Sequence, residues 1–319
     1  MAIISSCTSS NLKDGATLLR SGNLVAFPTE TVYGLGVDAT NKDAVERLYK
    51  VKGRPTDHPL IVHISSVGNL DKWAKDIPEY AIKLAQNLWP GPMTLVLSRT
   101  NLAKNFITGS QDNVGIRVPA HPIANALLKV FEELGGLGVA APSANRFGKV
   151  SSTSAKDVED ELSSYLGIDD LILDGGNCQV GLESTIVDCT LQIPRILRPG
   201  VISKSMVEEI TGLELKSDQT DEYVKASGLL KSHYSPIAKV FLMGNPGIGD
   251  GFIALSDIET PEGAIRLAAP KDVTEYAQLL YSALRRADQM RIKKVFVVSP
   301  NQGEISVAIN DRLAKAAFK

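Results

Sequence analysis

Cysteine is scarce in this chain: three residues in 319, Cys7, Cys178 and Cys189, with no CxxC and no spacing that pairs them with histidine. That argues against a disulfide framework or a cysteine-built zinc site and suggests a reducing compartment. Histidine is equally sparse. His58, His63, His121 and His233 form no HxH or HxxxH pair, so no metal site built from protein side chains is expected. Charge of one sign is missing too. The net charge is −2, with 20 Lys+Arg against 21 Asp+Glu in residues 1–205 and 14 against 15 in the remainder. Neither part has the field to hold nucleic acid by bulk charge, although a local basic patch stays open. No apolar run approaches the roughly 18 residues of a membrane helix, and no charged segment followed by an apolar one marks a leader. A cytoplasmic protein without membrane contact is expected. GxxxxGK[ST] does not occur, which excludes a P-loop.

What is present is ordinary globular material. A length of 319 residues allows two domains, and 44% hydrophobic with 22% charged residues allows sizeable cores. Apolar periodicity predicts helices over 12–21, 41–50, 78–89, 122–134, 155–165 and 203–211, and strands over 24–27, 59–64, 93–98, 113–119, 137–141, 170–174, 184–189 and 195–198. Thr40 with Asp43 predicts a capping-box start for the second helix, and Ser154 with Asp157 one for the helix after residue 154. Polar residues 214–235 read as an interdomain stretch. Strands at 239–243, 252–255 and 293–298, alternating with helices at 272–289 and 303–317, predict a small parallel α/β unit. Gly34-x-Gly36-x-x-Ala39 imitates a dinucleotide fingerprint, but its context is wrong, so residues 29–36 read as a polar turn. Gly244, Gly247, Gly249 and Gly251 read as a connecting loop.

One stretch stands apart. Lys50-Val51-Lys52-Gly53-Arg54-Pro55 places three cations at alternate positions where a helix ends. Cations there favour the helix dipole, which covers Lys50. Lys52 and Arg54, beside and beyond Gly53, suit a polyanion such as a triphosphate, although most charge runs of this kind are solvated faces. Arg117 shares one face of its strand with Asn113 and Gly115, opposite the apolar Val114, Ile116 and Val118. Pro142-Ser143-Ala144-Asn145 is either a plain turn or a phosphate cradle. Ser151 lies in a hydroxyl-rich cap; His63 is a core histidine or a ligand, Ser184 an exposed or a binding hydroxyl, and Arg198 a surface charge or an anchor. No nucleophile–base–acid triad assembles from these residues, which points to positioning and charge neutralisation.

Taken together, Lys52-x-Arg54, Ser143-x-Asn145, Phe27-Pro28-Thr29-Glu30-Thr31-Val32-Tyr33-Gly34-Leu35, Trp89-Pro90-Gly91-Pro92-Met93-Thr94, Glu183-Ser184-Thr185-Ile186-Val187-Asp188 and Arg198-Pro199-Gly200 resemble the YrdC-domain threonylcarbamoyl-AMP synthases. Ser227-Gly228 with His233-Tyr234-Ser235-Pro236 resembles the linker of their two-domain branch, departing at Ser235 from a small apolar residue. The resemblance covers about residues 10–236 by motif. It implies an α/β fold: a YrdC-like twisted mixed sheet with a concave active-site face over residues 1–205, a linker or lid over 206–236, and a small Rossmann-like domain over 237–319. It implies a nucleotidyltransferase making threonylcarbamoyl-AMP and pyrophosphate from L-threonine, bicarbonate and ATP. A downstream tRNA threonylcarbamoyl transferase would pass the group to the adenosine beside the anticodon. By the resemblance, Lys52 and Arg54 are catalytic and hold the triphosphate, and His58, Asn113, Ser143, Asn145, Ser151, Arg198 and Tyr234 complete the ATP site. Thr31, His63, Arg117, the backbone of Ala141 and Ser184 form the threonine site, with Arg117 on the carboxylate. Mg2+ is expected to arrive with ATP. The rival readings are a double-stranded RNA or tRNA-binding module, with weak RNA binding, and a carbamoyl-transfer relative.

Overall fold

The computed structural model describes residues 3–215, 228 and 234–318. Among these, ten strands form one mixed sheet in the order β1 (Ile3–Ser6), β8 (Leu171–Asp174), β2 (Val25–Phe27), β3 (Gly34–Asp38), β7 (Val139–Ala140), β4 (Ile61–His63), β6 (Asn113–Arg117), β5 (Met93–Ser98), β9 (Thr185–Asp188) and β10 (Arg195–Arg198). Parallel and antiparallel neighbours alternate irregularly: β4 runs parallel to β6, whereas β5 and β7 run antiparallel to their partners β6 and β4. Side chains alternate across the strands, so the sheet has two distinct faces. One face, with Leu35, Val37, Val62, Leu95, Leu97, Ile116 and Val187, packs into the largest core. On the other, Val25, Phe27, Val139 and Ala141 lie under the helices Ser9–Arg20 and Pro122–Glu133. These helices cover only part of that face. Beyond them, Ile61, His63, Thr94, Val96, Gly115, Arg117 and Ile186 share it, with a small apolar cluster of Val96, Ile186, Ile61 and Leu197. The candidate site lies on this remaining half.

Most predicted elements are present, with two informative differences. Residues 34–38 are a strand, not a turn, and every one is buried. A Cβ on Gly36 would lie 2.8 Å from both Phe27 Cε1 and Val139 Cγ1, so this glycine makes room for side chains of the flanking strands β2 and β7. The helix Lys42–Lys52 is capped by Asn41, whose side chain accepts from Ala44 N–H at 3.1 Å, and not by Thr40, which hydrogen-bonds Asp38. The Ser154–Asp157 capping box is present as expected. Strands β1 and β13 (Ile265–Ala268) and the helices Leu70–Trp73 and Asn105–Thr108 had no expectation; these short pieces carry little periodic signal.

The second unit is a parallel sheet of β11 (Lys239–Phe241), β14 (Lys294–Val297), β12 (Gly251–Ile253) and β13, packed on the helices Val273–Gln289 and Ile305–Ala317. Gly251 belongs to β12 and not to the loop before it. The helix Lys204–Thr211 crosses residue 205, where the sequence reading begins a linker, and Val207 and Leu215 are buried in the first core. The first unit therefore extends to 215. Residues 216–227 and 229–233 of the expected linker, with Ser227 and His233, lie outside the described residues. No helix among those described is long and apolar enough to cross a membrane.

Candidate active site

A cavity of about 50 Å³ opens on the uncovered half of the sheet. Its wall includes Arg54, Arg117 and Arg198, together with Thr31, His63, Ser143, Ser184 and Tyr234. The elements explain the convergence. His63 and Arg117 are register partners on β4 and β6. Ala141 follows β7, Ser184 precedes β9, and Arg198 closes β10.

The cationic stretch divides at Gly53. The helix runs through Lys52, and Gly53 ends it in the left-handed region at φ 62°, turning the chain so that Arg54 faces the cavity. Arg54 donates from Nε to His58 O at 3.3 Å and from Nη2 to Pro59 O at 2.9 Å, and its guanidinium sits 5.6 Å from the Phe147 ring centre. Burial pulls its pKa down to about 10. Lys52 is different. Its Nζ donates to Ser143 O at 2.5 Å and also to Asn145 O, and burial, with Arg54 and Arg146 nearby, pulls its ammonium well below the usual lysine range. It is not in the cavity lining and fastens the 143–145 segment that borders it.

Arg117 forms the opposite end. Its Nη1 donates to Thr31 Oγ1 at 2.9 Å and its Nε to Gly91 O at 3.3 Å. Its Nη2 lies 2.7 Å from Glu30 Oε1, with the geometry of a charge contact and not of an aligned hydrogen bond. Burial raises Glu30, but the Arg117 contact and the backbone N–H groups of Glu30 and Ala120 together outweigh it, and the net shift is downward. Burial also lowers His63 to about 3, helped by the Arg117 charge. The imidazole is therefore neutral at physiological pH. Ser184 and Thr94 share a hydroxyl hydrogen bond of 2.8 Å, and Arg198 donates to Ser184 O and to its Oγ at 2.9 and 3.1 Å.

The remaining wall involves the second unit. Glu183 accepts from Ser151 Oγ at 2.5 Å, from Tyr281 Oη at 2.9 Å and from Arg312 Nε at 2.9 Å. Tyr234 is buried, stacks on Tyr281 at 5.7 Å, and lies with its ring 5.3 Å from the Arg312 guanidinium. Gly228 also lines the cavity; at φ 84° a Cβ there would sit 2.4 Å from Tyr234 Oη, and its carbonyl accepts from Lys315 Nζ at 2.8 Å.

Nine of the fourteen expected positions thus line one cavity: Arg54, Ser143, Arg198, Tyr234, Thr31, His63, Arg117, Ala141 and Ser184. Five do not. Besides Lys52, His58 offers its carbonyl to Arg54 while its ring packs edge-on at 5.2 Å from Phe147. Asn145 turns inward and donates to Arg146 O and Lys149 O. Ser151 is fully buried against Glu183. Asn113 begins β6, four residues from Arg117, and is not in the lining. Sequence reasoning missed Glu30, Glu183 and Arg312. Arg312 had a legible signal: it falls on the apolar stripe of its helix with Ile309, Leu313 and Ala316.

Glu183 has an acid-stability consequence. Its carboxyl is held at about 2, against an ordinary 4.5, because the Arg312 and Arg198 charges outweigh burial. A depressed acid stabilises fully above its unfolded pKa and loses that contribution as pH falls toward its folded one. In thermal melts, the advantage of wild type over Glu183→Gln should stay constant above pH 5 and shrink between 4.5 and 2. An advantage unchanged down to pH 3 would contradict the pairing.

Known proteins resemble this chain over nearly its whole length. A family profile described as "Telomere recombination" (Sua5/YciO/YrdC) matches residues 17–200, and one described as "Threonylcarbamoyl-AMP synthase, C-terminal domain" matches 202–318. The threonylcarbamoyl-AMP synthase of Pyrococcus abyssi is 36% identical, covering 96% of this chain and 94% of its own. That of Bacillus subtilis is also 36% identical, covering 96% and 92%. The crystal structure of P. abyssi Sua5 complexed with L-threonine superposes with a TM-score of 0.88 at 35% identity, covering 99% of this chain and 98% of that one. This chain belongs to the Sua5/YciO/YrdC family, in the two-domain branch that carries the threonylcarbamoyl-AMP synthase C-terminal domain.

Proposed function

We propose that the cavity joins L-threonine, carbon dioxide from bicarbonate, and ATP into threonylcarbamoyl-AMP, releasing pyrophosphate. The observation that carries this reading is the placement of Arg117 and the pair Arg54 and Arg198 around one cavity with a neutral histidine, in a chain whose near full-length relatives are threonylcarbamoyl-AMP synthases. Arg117 takes the threonine carboxylate, and Thr31, His63, Ser184 and the Ala141 backbone complete that end. Arg54, Ser143 and Arg198 take the phosphates, Lys52 holds the 143–145 segment that borders them, and Tyr234 closes over the nucleotide.

The chemistry needs no protein nucleophile. The threonine nitrogen bonds to the carbon of carbon dioxide and loses a proton, giving a carbamate. A carbamate oxygen then bonds to the α-phosphorus as the bond to the α,β-bridging oxygen breaks, and pyrophosphate leaves. Neutral His63 can accept a hydrogen bond from the threonine end without adding positive charge there. Arginines fixed by backbone carbonyls neutralise charge developing on the phosphates, and a closed cavity keeps water from the labile carbamate and anhydride. At about 50 Å³ the cavity is smaller than the roughly 300–1,000 Å³ of small-molecule sites. Among the described residues no group of three or more His, Cys, Asp or Glu could hold a metal, and the nearby acids Glu30 and Glu183 are each paired with an arginine. Magnesium would arrive with ATP, carried on its phosphates. The product is an activated acyl adenylate, consumed by an enzyme that transfers the group to a tRNA adenosine.

The test is product identity. Incubated with threonine, Mg–ATP and 13C-bicarbonate, the protein should form an adenylate whose carbamoyl carbon alone carries the label by mass spectrometry; an unlabelled or absent adenylate overturns the reading. Discrimination against serine rests on one methyl group, worth about 1–3 kcal/mol, so kcat/KM for serine should fall by roughly 10–200-fold and not to zero. Equal efficiency for the two amino acids would show that the pocket does not sense the methyl.

A further inference from the structure

Glu183 poses a problem for a cavity that must receive a polyanion. Its carboxylate lines the cavity beside Arg54 and Arg198, and it is almost fully buried. An uncompensated charge there would repel phosphate and attract Arg198, whose guanidinium is fastened to the adjacent Ser184. The Arg198 charge of the catalytic unit acts on it, but its direct ion pair comes from elsewhere. Arg312 reaches it at 2.9 Å from the helix Ile305–Ala317 of the second unit, with a fully buried side chain, and Tyr281, from the helix Val273–Gln289, donates to the same oxygen. The other oxygen takes Ser151, so the carboxylate is held from both units. The same two second-unit side chains seat Tyr234: one stacks on it and the other lies over its ring.

We propose that Arg312 is a positioning residue of the nucleotide site: the second domain supplies it to neutralise Glu183, leaving Arg198 directed at the phosphates and giving Tyr234 its seat. This rests on the ATP half of the reading above and assigns the C-terminal domain a part in building the catalytic cavity. A buried arginine on an apolar helix face is costly unless paired; here Nη1 pairs with Asp311 of its own helix at 2.5 Å, and Nε pairs with a residue of the cavity wall across the domain boundary. The consequence is specific. Losing Arg312 should act on ATP and not on threonine, because Arg117 and its Glu30 partner lie at the other end and do not touch Arg312.

The experiment is calorimetric titration of Mg–ATP and, separately, of L-threonine into wild type, Arg312→Met, Arg312→Lys and the double variant Glu183→Gln/Arg312→Met, with circular dichroism to confirm folding. ATP affinity is expected to fall at least tenfold in Arg312→Met and to recover to within about threefold of wild type in Arg312→Lys and in the double variant. Threonine affinity should stay within twofold throughout. If Arg312→Met does not fold, the comparison of the double variant with Arg312→Lys carries the test. Unchanged ATP affinity in Arg312→Met, an equal loss in Arg312→Lys, or no recovery in the double variant would overturn the proposal. Wild type that binds ATP without turning it over would overturn the proposed reaction while leaving this comparison intact; wild type that binds no ATP would overturn both.

Discussion

Replacing Arg117 with methionine is expected to abolish threonine-dependent turnover and to lower the free energy of unfolding by about 3–5 kcal/mol, the cost of breaking a buried ion pair from one side. Both effects come from one guanidinium. Glu30 and Arg117 are each more than nine-tenths buried, so removing the cation strands a buried carboxylate. The two consequences separate in the double variant Glu30→Gln/Arg117→Met. With the carboxylate also neutralised, chemical denaturation should show most of the stability regained, because no charge is left unpaired. Turnover should stay lost, because nothing remains to receive the amino-acid carboxylate. A double variant that recovers activity would remove Arg117 from the threonine site. A single variant as stable as wild type would show that Glu30 finds another partner or takes up a proton.

Replacing Arg54 with alanine should reduce the rate of pyrophosphate release by about 10²–10³, the usual effect of removing one preorganised charge donor. Arg54 enters the cavity from the loop after Gly53 and is braced by two backbone carbonyls and the Phe147 ring, so its charge is fixed before substrate arrives. Threonine affinity should be unchanged, since Arg117 holds that end independently. Lys52→Ala should differ in kind. Lys52 joins Ser143 and Asn145 from behind, so its loss should loosen that segment and lower stability as well as rate. Steady-state kinetics paired with melting curves distinguish the two. A purely kinetic effect at Lys52, with unchanged stability, would return it to direct phosphate contact.

How much of this was legible in the sequence depends on what signals each feature. Amphipathic helices and the long strands β5 and β6 follow from periodicity, and the Ser154–Asp157 cap from local chemistry. β3 was not legible, because Gly34 and Gly36 read as turn residues; what selects them is the close approach of Phe27 and Val139, distant in sequence. The placement of Arg117 on the polar face of β6 could be read from alternation, and it does face the cavity. The inward turn of Lys52 and Asn145 was not legible, because nothing local says whether a side chain points into a cavity or behind it. Glu30 and Glu183 were invisible as site residues for a similar reason: a carboxylate is recognised by its counter-ion, and those counter-ions lie 87 and 129 positions away. Arg312 is the instructive case. Its position on an apolar stripe signals a buried charge, but its partner across the domain boundary appears only in the fold.

The most direct test of the central claim is pyrophosphate release from Mg–ATP with bicarbonate present, measured with threonine, with serine and with no amino acid, in wild type and in Arg54→Ala. Release that requires an amino acid, prefers threonine, and is lost in Arg54→Ala is the predicted result. Release of pyrophosphate at the same rate without an amino acid, or of inorganic phosphate in its place, would contradict the assignment of the Arg117 end to threonine and of the whole cavity to adenylate formation.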